Sequence, residues 1–201
     1  MRRIRCEGRS VYLAEAEEKY FPYIIAWRND PENNRYLNQP FLLDMEKQRA
    51  WYENYRRDPA QGLFIVVDKK ENLPFATMGW TDHDPGENLC ITGRLLVGDR
   101  RYRGNPRFAE ATLLFADYMY GELGVDTCYA HIVCENLASR RYHEKYGYYL
   151  HADAPRFPHE LVVNGMRQVE YMRTKEDWHS VRPYVKERLE RELSRVRDPG
   201  Q

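Results

Sequence analysis

The alternation of apolar and polar positions divides the chain into short elements. "SVYLA", Ser10 to Ala14, alternates as a strand. "KYFPYIIAWRNDPENN" carries Tyr20, Ile24 and Trp27 at helical spacing. Pro22 suits its first turn, where a missing N–H costs nothing, and Asn29-Asp30-Pro31 stops it. Asp44 is placed to cap a second helix from Met45 to about Arg57, with Trp51 and Tyr55 on one face. "GLFIVVD" and "LPFATMGWTD" read as strands turning at "KKEN". "NLCITGRLLVG" is a third apolar run, in which Gly93 suggests a bulge or a close backbone approach. A helix is predicted from Pro106 to Glu122 with an inward stripe of Phe108, Thr112, Phe115 and Met119, ended by Gly121 and Gly124. "VDTCYAHIV" is the next strand, "ENLASRRYHEKYGYY" a helix stopping at Gly147, and "HELVVNGMRQVEYMRT" a hairpin on Asn164-Gly165. After "KEDW" the composition changes to a charged helix, "RPYVKERLERELSRVRDPG", with Val185, Leu189 and Val196 on one side. That narrow stripe suits packing onto its own domain or onto a second subunit, as in a homodimer, and the first is favoured.

This order predicts a mixed α+β sheet rather than a doubly wound one. One domain over 1–178 and a C-terminal helical extension over 179–201 are expected, in keeping with 201 residues. Composition narrows the partners. Lys+Arg and Asp+Glu both count 31, so no global field draws the chain to nucleic acid or anionic lipid. The N-terminus has basic residues but no apolar h-region, and no stretch approaches the ~18 apolar residues of a membrane span. Cys6, Cys90, Cys128 and Cys134 form no C-x-x-C pair and read as reduced thiols of a cytoplasmic protein, not as a metal site.

The strand–loop–helix "VGDRRYRGNPRFAEA" is the place to look for chemistry. Backbone N–H groups at a helix N-terminus are a ready anion site, and Gly104 lets the loop turn. Pro106 removes one donor but presets helical φ, leaving the amides of Asn105, Arg107, Phe108 and Ala109, with Arg103 and Arg107 to add charge. Together with "WRNDPENNRYL", "QRAWYENYRRDP", "VCENLASRRYHEKYGY" and "VNGMRQVEYMRTKEDW", this loop resembles the GNAT superfamily of acyl-CoA-dependent N-acetyltransferases. The resemblance runs in order over about Ser10 to Trp178. It is nearest the branch of ribosomal-protein N-terminal acetyltransferases and of aminosugar-nucleotide acetyltransferases of the pseudaminic-acid pathway type. The family's loop carries glycine where this chain has Pro106 and glycine or alanine where it has Phe108.

The resemblance implies the acyl-CoA N-acyltransferase fold, a mostly antiparallel central sheet with helices on both faces. It also implies acetyl-CoA as co-substrate, no metal, and a small-molecule amine as acceptor. The backbone of Leu95, Leu96 and Val97 would pair with the cofactor arm beside two splayed parallel strands. Asn136 either hydrogen-bonds that arm or only caps the next helix. His143 occupies the position of the family's frequent tyrosine acid, with Tyr142 beside it. Either can protonate the departing thiolate, or water suffices because a thiol titrates near ~8.5, and His143 can equally be a packing residue. Asp82, His83, Asp84 and Glu87 are candidate bases, while His131 reads as a satisfied core histidine. Trp27, Arg28, Tyr36 and Trp51, with His83, are candidate acceptor contacts, through aromatic stacking and an arginine able to pair with a diphosphate. An amino-sugar nucleotide fits these residues best. A protein N-terminus, a small amine and a CoA-binding module without turnover are the alternatives.

Overall fold

The computed structural model describes residues 4–151, 155–158, 162–163 and 165–195. The strands are β1 (Ile4–Glu7), β2 (Val11–Glu15), β3 (Gly62–Asp68), β4 (Leu73–Asp84), β5 (Leu89–Val97), β6 (Thr127–Val133), β7 (Tyr149–Leu150), β8 (Val162–Val163) and β9 (Met166–Thr174). The helices are α1 (Phe21–Asn29), α2 (Pro31–Asn34), α3 (Met45–Tyr55), α4 (Pro106–Gly121), α5 (Leu137–Lys145) and α6 (Lys175–Arg195). Among the described residues the sheet runs β1-β2-β3-β4-β5-β6-β9-β7, with β8 hairpinned on β9. All its neighbours are antiparallel except β5 and β6.

Every residue of β3 is buried because helices cover both faces of the sheet. Leu13, Phe64 and Val66 face α4 and α6, where Phe108, Phe115, Met119, Trp178 and Val185 complete one core. Tyr12, Ala14, Ile65 and Val67 face the other way and pack with Phe21 and Ile24 of α1 and with Trp51, Tyr52 and Tyr55 of α3. The period of two along each strand thus supplies two cores from one sheet.

The predicted caps and stops hold. The Asp44 carboxylate accepts from the Lys47 amide, Pro22 lies in the first turn of α1, and Gly147 takes a φ of 85° after α5. Several features depart from expectation, among them the unpredicted strand β7. β1 was unpredicted: it forms because β2 offers it an edge, with Cys6 paired to Leu13. The first helix stops at Asn29 as expected, but Pro31–Asn34 form a separate α2 capped by the Asp30 carboxylate. α6 begins at Lys175 rather than after Trp178, with Asp177 bonding the Thr174 amide and hydroxyl at its start. Its Val185 and Leu189 are buried on the chain's own domain, and Asp117 of α4 receives both Trp178 Nε1 (3.0 Å) and a bidentate Arg182 (2.7 Å). Val196 and the hairpin residue Asn164 lie outside the described residues.

Candidate active site

β5 and β6 pair only over Leu89–Ile91 and Thr127–Tyr129. The Thr92 hydroxyl donates to Tyr129 O (3.0 Å) and accepts from Tyr148 (2.8 Å), marking where the two strands part. Beyond that point β5 follows β4 and β6 follows β9. The β6-facing edge of β5 through Leu95, Leu96 and Val97 is therefore open to an extended ligand. Leu95 and Val97 pack on the core, whereas Leu96 lines the adjacent cleft. The irregularity expected at Gly93 is displaced by one residue. Gly93 opposes Gly79 and Leu96 opposes Thr77, leaving one extra residue in β5, and the positive φ of 52° belongs to Arg94.

The loop after β5 turns at Gly104 (φ 72°) and enters α4 through Asn105 and Pro106. Here the structure corrects an expectation. The amides counted as phosphate donors already have protein acceptors: Asn105 N–H bonds Tyr102 O (3.2 Å), Arg107 N–H bonds Asn105 Oδ1 (2.9 Å), and Phe108 and Ala109 N–H reach Asn105 O (3.0 and 3.4 Å). The Asn105 side chain folds back as an N-cap onto the Arg107 amide, and the other three amides meet backbone carbonyls. The helix dipole remains. Arg103 bonds Asn33 Oδ1 (2.6 Å) and lies 3.7 Å from Glu32, while Arg107 Nε sits 2.8 Å from buried Asp68 in an ion pair without hydrogen-bond alignment. The Arg103–Glu32 pair is exposed and of the weak surface kind, so that charge stays at the loop. The Phe108 ring turns into the core, 5.7 Å from Tyr142.

A cleft of about 610 Å³ opens beside the parted strands, walled by α1, α3 and residues 36–43. Trp27, Arg28, Tyr36 and Trp51 all line it, as expected. Trp27 lies flat on Gly98, where a Cβ would fall 2.0 Å from the ring. Arg28 Nε donates to Gln39 Oε1 (2.6 Å), and burial lowers its pKa. Asn29 braces the loop through Leu43 N–H and O (2.9 and 2.7 Å). Tyr36 reaches Glu135 O at 3.5 Å. Trp51 stacks on Tyr55 (5.0 Å) beneath the Arg94 guanidinium (5.3 Å). The charged residues lining the cleft are Arg28, Lys47 and Arg94. No aspartate or glutamate lines it among the described residues. His83 is not brought there; its amide bonds Ala60 O. Asp84 and Glu87 stay in the β4–β5 turn, Asp84 accepting from the Gly86 amide and Glu87 pairing with Arg156. Sequence reasoning missed Arg94, which reads as an ordinary polar position of a strand.

His131 also lines the cleft, and its Nε2 lies 3.1 Å from Glu170. Burial raises the Glu170 pKa, but hydrogen bonds from His151, the Arg156 amide, His131 and the Phe157 amide outweigh it and hold the carboxyl below its usual range. His131 is thus a partnered histidine on the cleft wall. His143 and Tyr142 do not line the cleft. His143 Nδ1 donates to Ser139 O (2.8 Å), and burial, with Arg173 nearby, lowers its pKa to about 4 against the opposing pull of that bond. It is neutral near pH 7, with its ring proton committed. Thr112 donates its hydroxyl to Phe108 O, so Tyr142 donates to Thr112 Oγ1 (2.7 Å) and its proton is committed too. Burial first, then neighbouring tyrosines, raises the Tyr142 pKa. Asn136 caps α5 through Oδ1, to the Ser139 amide at 3.1 Å.

Similarity to known proteins agrees with this geometry. A GCN5-related N-acetyltransferase from Brucella melitensis is 20% identical, with a TM-score of 0.76 over 94% of this chain and 86% of that one. FdhC, described as a nucleotide-linked sugar GNAT, is 17% identical, with a TM-score of 0.73 over 92% and 97%. A spermidine N-acetyltransferase from Vibrio cholerae, solved with CoA and spermine, is 14% identical, with a TM-score of 0.73 over 86% and 99%. No curated protein sequence matches. The family model described as an acetyltransferase (GNAT) domain matches residues 11–149. The chain belongs to the GNAT acetyltransferase family.

Proposed function

We propose that the protein transfers an acetyl group from acetyl-CoA to the primary amine of an amino-sugar nucleotide. The observation that carries this is the cleft beside the open β5 edge, walled by Trp27, Tyr36 and Trp51, charged by Arg28 and Arg94, and lined by no carboxylate among the described residues. Aromatic faces suit sugar and base, and guanidinium suits a diphosphate. A polycation would call for acidic walls. FdhC is described as a nucleotide-linked sugar GNAT, and a cleft lined by no carboxylate among the described residues favours an acceptor of that kind over a polyamine.

Bound acetyl-CoA supplies the activated thioester; the chain's own residues bind and orient. The open backbone of Leu95 to Val97 holds an extended arm. Asn136 spends only Oδ1 on its cap, which leaves its amide nitrogen to donate. At the front of α4 the Arg107 amide, now held by Asn105 Oδ1, would be the donor to a phosphate, favoured by the helix dipole. A thiol pKa near ~8.5 lets the sulfur leave without a side-chain acid, consistent with the committed protons of Tyr142 and His143. The test is release of free thiol from acetyl-CoA with an amino-sugar nucleotide, a peptide N-terminus and spermidine. The sugar nucleotide should give the highest kcat/KM. Turnover confined to spermidine or the peptide would overturn the acceptor, and absence of CoA binding at about millimolar ligand would overturn the whole reading.

A further inference from the structure

Arg94 occupies a backbone position that suits glycine. It is the extra residue of β5, with a φ of 52°, while Gly93 beside it does not use that region. Bulges re-aim side chains, and this one delivers an arginine to the cleft wall. The guanidinium lies 5.3 Å from the Trp51 ring and 5.9 Å from the Tyr55 ring. Nη2 donates to Gln61 Oε1, and Nη1 is buried without a hydrogen-bond partner. Arg28 enters the same cleft from α1 and spends only Nε, on Gln39. Neither guanidinium pairs with a carboxylate among the described residues.

A buried donor with no acceptor and two desolvated like charges with no carboxylate paired to either are both unfavourable. Burial weakens the hold of Arg94 on its proton and the field of Arg28 adds to that effect, while Tyr55, Asp58 and Asp82 oppose it only in part. One oxyanion between them answers both demands. Turning the Arg94 fork by a small amount exchanges an unmet N–H for a charge-assisted bond. We propose that Arg94 is a specificity-determining residue which, with Arg28, holds an oxyanion of the acceptor. The accepted amine therefore carries a phosphate or carboxylate group, and simple polyamines are refused. This rests on reading the cleft as the acceptor site of the acetyltransferase.

The experiment is calorimetric titration of the full chain with uridine diphosphate, glucuronate and spermidine, and separately with CoA. Wild type should bind uridine diphosphate or glucuronate, and Arg94→Gln should weaken that binding by about tenfold or more. Arg94→Lys should recover part of the loss, as a point charge without the fork. Arg94→Gly removes the backbone strain together with the charge, so it should fold at least as well and bind as poorly as Arg94→Gln. Binding of uridine diphosphate alone assigns the oxyanion to a phosphate, and binding of glucuronate alone to a sugar carboxylate. Equal affinities in wild type and Arg94→Gln, no binding of either anion to wild type at about 10 mM, or preference for spermidine would overturn the proposal. Loss of CoA binding would sink the acetyltransferase reading and leave the anion result to stand by itself. Intact CoA binding with no dependence on Arg94 would sink this proposal alone.

Discussion

His143 was legible as a helix residue at the family's acid position, but its chemistry was not. Burial depends on Tyr148 and Tyr171, whose rings approach to 5.0 and 6.5 Å from other parts of the chain. Its folded pKa of about 4 lies below the ordinary value of 6.5. The unfolded chain therefore takes the proton first, and the group's contribution to stability is full above pH 6.5 and is lost as pH falls toward 4. The shift corresponds to about 3 kcal/mol, as an order of magnitude. Urea unfolding at neutral and mildly acidic pH should show wild type losing more stability on acidification than His143→Gln; parallel losses would contradict this. Tyr142→Phe and His143→Gln should each keep kcat within about threefold, because neither proton is offered to the cleft. A tenfold fall in either would make that residue the acid.

At the scale of elements, the stripe Phe108, Thr112, Phe115 and Met119 reads straight off the sequence, and all four are buried. The start of the same helix does not. Asn105 was expected to offer an amide, and instead its side chain closes the first turn. Asn105→Ala should cost about 1 kcal/mol in the ligand-free protein, because the Arg107 amide loses its acceptor. CoA should restore part of that loss, so the CoA-induced rise in Tm should be larger in the variant than in wild type. Equal rises would mean that the Arg107 amide is not a phosphate donor.

For the whole molecule, α6 decides whether residues 179–195 are an appendage or part of the core. Val185 and Leu189 are buried, and Arg182 ties α6 to Asp117 of α4. Each buried aliphatic side chain contributes roughly 1.5–3 kcal/mol, a large share of the ~5–15 kcal/mol that holds a domain folded. A chain ending at Trp178 should therefore melt far lower than the full protein or aggregate on expression. A truncated protein with unchanged Tm would show the extension to be dispensable. Together with the Arg94 titrations, these outcomes test the molecule from side chain to domain.

The sequence by itself determined the element order apart from β1, α2 and β7, most caps and stops, the strand–loop–helix at the centre, and four of the aromatic and basic walls of the cleft. Those properties follow from local spacing and turn chemistry, which neighbours in the chain settle. Tertiary structure alone decided that β1 pairs, that the bulge falls on Arg94 rather than Gly93, that His143 is buried and neutral, and that Arg28 and Arg94 share a cleft lined by no carboxylate among the described residues. The last two depend on groups far apart in the chain meeting in a poorly solvated space, where charge and burial are set by what else is present; the first two depend on strand register, which a side-chain pattern does not fix.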